Sequence, residues 1–159
     1  MTVPDFSRDL RLFVDEDVRG GATAVLREAA QTVAEAIVVG NAFGPGVPVD
    51  TAFLRASFRV AQGAPVDGPT EPPPRSPERA PGAPVFDAPF DVSAAATVPL
   101  GTELFITTAV EYAAYLEEGA NMARRFGVNA GASTPFIAPV EARWERIVDD
   151  AARRVGYGA

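Results

Sequence analysis

Two groups of carboxylates are the first candidates for chemistry in this sequence. They are Asp15-Glu16-Asp17 near its start and Glu117-Glu118, with Glu111 close by. A hard divalent cation needs six or more oxygens converging on one point. Consecutive residues of a helix point about 100° apart, so neither run converges on a cation. Asp15-Glu16-Asp17 therefore reads as a solvated helix face. In Glu117-Glu118 one carboxylate is expected to cap or to form an ion pair, and the other to face water. A hydrolase built here would have to run on Glu111, Glu117, Glu118 or Asp87, since the chain contains no His and no Cys. Those absences remove the usual general base, the thiolate nucleophile and the commonest metal ligands. Ser57 and Ser133 have no His or Lys to activate them. Gly101 and Gly131 belong to no phosphate-cradling pattern. No catalytic, metal or cofactor set is expected, and the residue types favour binding or assembly.

The interaction candidates are of other types. Tyr112 and Tyr115 are spaced three apart and share one helical face, where amphipathic rings serve a core or a partner. Arg124-Arg125 suits a phosphate or the carboxylates of a partner. Pro72-Pro73-Pro74 has the shape of a polyproline II ligand for an aromatic groove, and reads equally as a stiff loop. Trp144, Phe53 and Phe58 lie in apolar patterns and are expected in the core.

Composition narrows the classes further. The chain has 159 residues, 47% apolar and 22% charged, which suits one globular domain over 1–159. Its net charge is −7, every cation is Arg, and acids outnumber cations in residues 1–60, 61–100 and 101–159 alike. No segment is basic, so electrostatic capture of nucleic acid is disfavoured. No apolar run approaches the roughly 20 residues needed to span a bilayer, and Met1-Thr2-Val3-Pro4-Asp5 lacks a signal-peptide pattern.

The elements that must position these residues follow from periodicity. Phe6, Leu10, Val14, Val18, Ala22, Val25, Ala29, Val33 and Ile37 predict one long helix over 5–39 with a single apolar face, kinked at Gly20-Gly21 or beginning only near Asp15, and ending at Gly40-Asn41. A short turn is expected at 51–55. Leu54, Ala56, Phe58 and Val60 alternate as in a strand. Residues 63–84 are rich in Pro and Gly and read as a long extended loop. Phe86 and Phe90 bring the chain back to the core. The alternations over 92–98 and 103–109 predict an antiparallel hairpin. A helical turn over 111–118 and a loop over 119–134 follow. Ile137, Val140, Trp144, Ile147, Ala151 and Val155 then predict an amphipathic helix over 137–155. The expected fold is α+β: a long N-terminal helix, a small antiparallel sheet of three to four strands, and a C-terminal helix packed on that sheet.

Three stretches, in order, carry a resemblance. Val49-Asp50-Thr51-Ala52-Phe53-Leu54-Arg55-Ala56-Ser57 resembles a V-D-T-G-x-L-R-x-S run. Tyr112-Ala113-Ala114-Tyr115-Leu116-Glu117-Glu118-Gly119 resembles Y-A-x-Y-[VL]-E-x-G, and Pro135-Phe136-Ile137-Ala138-Pro139 resembles P-F-[LI]-x-P. The set is similar to the neck and tail-completion (tail-terminator) proteins of tailed phages, the HK97 gp10-like family. Ala52 stands in place of the usual Gly, Ala138 in place of a frequently polar residue, and the Pro-rich stretch is longer than the family pattern. The resemblance covers most of the chain outside 61–91. It implies a virion component at the head–tail junction of a siphovirus-like particle, a prophage or a gene transfer agent. Such a protein self-assembles into a ring, commonly a hexamer, that joins the tail tube protein to a connector or stopper protein and lets DNA pass. A head-completion or stopper role, or an adaptor binding through the Pro-rich loop, is the alternative. The interface candidates are Tyr112, Tyr115, Glu117, Arg124, Arg125, Pro72, Pro73, Pro74, Phe86 and Phe90.

Overall fold

The N-terminal periodicity folds as a continuous run of helix. α1 spans Val3–Leu12, a π-helical stretch covers Phe13–Val18, and α2 runs from Arg19 to Val38. The computed structural model describes residues 3–47, 53–68, 90–110, 112–118 and 135–157, without the side chains of residues 3–6, Tyr115 and Glu118. Leu10, Val14, Val18 and Ala22 are spaced at steps of four. In an α-helix each such step drifts about 40° around the axis. The wider i→i+5 turn of the π stretch takes up part of that drift. The irregularity thus precedes the glycine pair, and both glycines are helical. Gly21 has a packing reason: a Cβ there would overlap the ring of Tyr157.

α2 ends where Gly40 takes a left-handed φ of 99°, a conformation glycine adopts without a Cβ penalty. The chain then folds back along the helix it has left. Asn41 fixes this return, donating from Nδ2 to the Thr32 carbonyl at 3.0 Å and accepting the Phe43 amide on Oδ1 at 2.8 Å. Gly46 N–H reaches the Ala36 carbonyl and Val47 N–H the Val38 carbonyl, which buries Phe43 and Val47.

The middle of the chain departs from the alternation read in its sequence. Residues Phe53–Ser57 form a helical turn, α3, and the strand β1 is only Arg59–Gln62. Leu54 and Ser57 are the buried pair, three apart on one side of a turn, which is helical rather than strand spacing. Residues Ser93–Thr97 form a helix, α4, where a strand was expected. A run of alanines favours helix intrinsically, and the Asp91 carboxylate accepts the Ser93 amide at 2.8 Å, turning the chain into it. The strand β2, Leu104–Thr107, therefore has no partner in 92–98. It pairs antiparallel with β1, with Arg59 opposite Thr107 and Gln62 opposite Leu104. Among the described residues the sheet has two strands, not three or four.

The helix α5 is Tyr112–Glu118. The final helical region is divided into α6, Ala138–Glu141, and α7, Trp144–Arg154. Between them Arg143 leaves helical geometry and its guanidinium donates to the Phe43 carbonyl at 2.7 Å. The inward side is narrower than the apolar pattern. Val140, Ile147 and Ala151 are buried, while Ile137, Trp144 and Val155 are exposed, against the expectation that all six line one buried face. α7 packs chiefly along α2 rather than across the sheet, and Arg154 joins Glu28 of α2 at 3.0 Å. The principal core lies between these two helices, α3, α5 and α6, with Phe136 and Ile147 fully buried in it.

Candidate functional site

The three stretches that carry the resemblance meet at one place. Leu54 of α3, Ala113 of α5, and Phe136 and Val140 at the start of the C-terminal region share one buried cluster. The Phe136 ring stands edge-on to Phe58, with centroids 6.1 Å apart and planes at 88°, an arrangement that adds about 0.5–1.5 kcal/mol beyond area burial. Ser57 Oγ donates or accepts at 2.6 Å with Thr108 Oγ1 and lies 2.6 Å from the Leu54 carbonyl. It is fully buried and committed to structure, so it is no nucleophile. Beside this junction a largely apolar cavity of about 520 Å³ is lined by Phe58, Ile106, Val110, Ala113 and Phe136, with Glu117 at its edge.

Glu117 closes the junction. Its Oε2 accepts the amides of Phe136 at 2.8 Å and Ile137 at 2.9 Å, and its Oε1 accepts that of Ala138 at 2.8 Å. Ile137 and Ala138 are the N-cap and first residue of α6, whose amides have no partner within the helix, and Phe136 directly precedes them. The carboxylate named as an interface candidate thus caps an element of its own chain, and its oxygens are engaged there. The glutamate pair was read as one capping or forming an ion pair and the other facing water. The structure supplies the cap, and the side chain of Glu118 lies outside the described residues.

The remaining candidates fall in different places. Tyr112 is on the exposed side of α5, and Phe90 is half-buried against the core. Tyr115 lies in α5, and its side chain lies outside the described residues. Arg124, Arg125, Pro72, Pro73, Pro74 and Phe86 lie outside the described residues, as do Asp87 and Glu111. Of the Pro-rich loop only Gly63–Gly68 is described, and it is exposed and irregular. No group of three acidic, His or Cys side chains among the described residues is placed to hold a metal ion.

Leu10, Val14 and Val18 were read as part of one apolar helical face, and the structure leaves that part open: every residue from Ser7 to Gly20 is exposed. Phe13 is 55% accessible and Leu10 and Leu12 49% each. The covered part of the N-terminal helix is its second half, where Ala29, Ala30, Ala34, Ala36, Ile37 and Val38 pack on α4, α6 and α7. The signal lay in residue size. Small residues mark the half that neighbouring helices approach closely, and among the described residues no other element packs over the large apolar residues of the first half. No described helix is long and apolar enough to cross a membrane. Comparison of the chain with protein-family models, with curated proteins and with solved structures finds no match.

Proposed function

We propose that the chain is a structural protein of the phage head–tail junction, forming a ring that ends the tail tube or joins it to the connector. The observation that carries this reading is the convergence of the three resembling stretches on one junction. Residues of 53–57, 112–118 and 135–139 pack together there, held by Glu117 and the Phe58–Phe136 contact. Their residue types serve to build that junction, and its described residues include no activated nucleophile or acid–base pair. An architectural role explains the pattern; catalysis does not. Subunits repeat around an axis through heterologous contacts, and the acid excess of the chain discourages DNA from sticking in the bore. Its partners are further copies of itself, the tail tube protein on one side and a connector or stopper protein on the other.

The test is microscopy of purified protein and of particles carrying a tagged copy. A closed ring, with label at the upper end of the tail, is the expected result. Label at the baseplate or over the capsid shell would end the reading.

A further inference from the structure

We infer that the exposed first half of the N-terminal helix is a self-association element, packing in parallel against the same segment of a second copy of this chain. The apolar part is a stripe of Leu10, Phe13, Val14 and Val18, all exposed in the single chain. The π-helical stretch Phe13–Val18 helps hold these residues on one face despite their steps of four. Soluble chains seldom leave so many large apolar residues open along one helix without a partner.

The charges flanking the stripe identify that partner. Measured around the axis from Leu10, Arg11 lies at about +100° and Arg8 at about +160°, whereas Asp9 lies at about −100°. Arg19 joins Asp15 at 2.8 Å, which places both on the flank of Arg11. Asp17, two residues beyond Asp15, falls across the axis on the flank of Asp9. Arg11 and Arg19 against Asp15 leave one flank net basic, Asp9 and Asp17 make the other acidic, and Arg8 and Glu16 lie on the far side from the stripe. Within the chain Arg8 and Asp9 meet only at 3.3 Å with both side chains largely exposed, and such pairs exchange partners at little cost. Parallel helices set the basic flank of one copy against the acidic flank of the next, as the charges beside a coiled-coil seam do. Antiparallel helices would set Asp9 near Asp17 and Arg near Arg. The pattern thus selects a second copy of the same chain, in the same direction, around a common axis. The contact deepens the assembly reading and rests on it for closure into a ring, but not for the pairing itself.

Charge reversal of the full-length chain tests this, read by sedimentation velocity and mass photometry, with circular dichroism and the melting midpoint confirming that each variant is folded. The wild type should be larger than a monomer. R11E/R19E and D9R/D17R should each associate at least tenfold more weakly. An equal mixture of the two should recover association, and so should one chain carrying all four changes. V14S/V18S, which leaves the charges alone, should also dissociate. A monomeric wild type, reversals that leave the mass unchanged, or a mixture that stays apart would each overturn the inference. A wild-type ring that survives every variant removes the helix assignment and leaves the ring reading standing. Helix-dependent association into an open or non-ring assembly keeps the assignment and removes the ring.

Discussion

Glu117 shows how much one side chain holds together. Three backbone amides of the C-terminal segment converge on its two oxygens across 19, 20 and 21 residues of sequence. Hydrogen bonds to a charged acceptor contribute about 1.5–3 kcal/mol each at most, and they are not additive when they share a group. Glu117→Ala should lower the stability of the chain by about 2 kcal/mol or more in urea titrations. Glu117→Gln should recover only part, because its amide N–H₂ meets backbone donors. A midpoint unchanged in both variants would show that solvent already satisfies those amides. Asp91 offers a test in pH. The Ser93 amide, and after it the Ser93 hydroxyl, holds the carboxyl below its ordinary value. The folded value therefore lies below the unfolded value of about 4. The stabilisation is fully present above pH 4 and is lost as pH falls through the folded value. Wild type should melt above Asp91→Ala at pH 7, and the gap should close towards pH 2; a gap independent of pH would contradict the bond. The sequence reading left one of Glu117 and Glu118 to cap or to form an ion pair. It did not show where, because the capped amides belong to a segment joined only through the fold.

At the level of elements, periodicity was a good guide where one pattern excluded others and a poor one where two fitted. The N-terminal helix was legible because apolar spacing over so many residues admits no strand. Leu54–Phe58 satisfied strand alternation and, through Leu54 and Ser57, one helical turn; tertiary packing selected the turn. Ser93–Thr97 alternated only among small residues, which carry little face information, and alanine propensity prevailed. The C-terminal helix was legible as a helix but not in which of its apolar residues face inward, since that is set by α2 and by the distant 41–47 loop, whose Phe43 carbonyl accepts from Arg143 at 2.7 Å. Two substitutions measure that difference. Ile147→Ala, at a fully buried position, should cost about 2–5 kcal/mol. Trp144→Ala, half-exposed at the start of α7, should stay within about 0.5 kcal/mol in the dissociated chain. The reverse order would restore a single uninterrupted face over 137–155. Gly44→Ala probes the contact between the returning loop and the helices. A Cβ there would lie 2.5 Å from Val140 Cγ2 and 2.8 Å from the Ala36 carbonyl oxygen. It should cost about 1–3 kcal/mol. Adding Val140→Ala should give back only part of the loss, because the carbonyl belongs to the backbone of α2.

For the whole molecule, the balance of charge makes a prediction that no single residue does. The chain carries 21 acids against 14 arginines. The described arginines are largely committed within the fold: Arg27 to the Val98 carbonyl, Arg59 to the Ala56 carbonyl, Arg143 to Phe43, and Arg154 to Glu28 and Asp150. An array of such chains multiplies the net charge of −7, while the proposed flank contacts consume Arg11 and Arg19 in pairing with acids. Among the described residues few cations are left to hold phosphate, and binding to duplex DNA depends on neutralising phosphates and releasing their counterions. A ring that conducts DNA has reason to avoid such binding, since a bore that held phosphates would slow passage. The assembled protein should therefore leave the mobility of duplex DNA unchanged even at low ionic strength, where any electrostatic affinity is strongest. Retardation that weakens as salt rises would reveal a basic surface within the assembly. That result would end the account of a bore that passes DNA without gripping it, whatever the shape of the particle under the microscope.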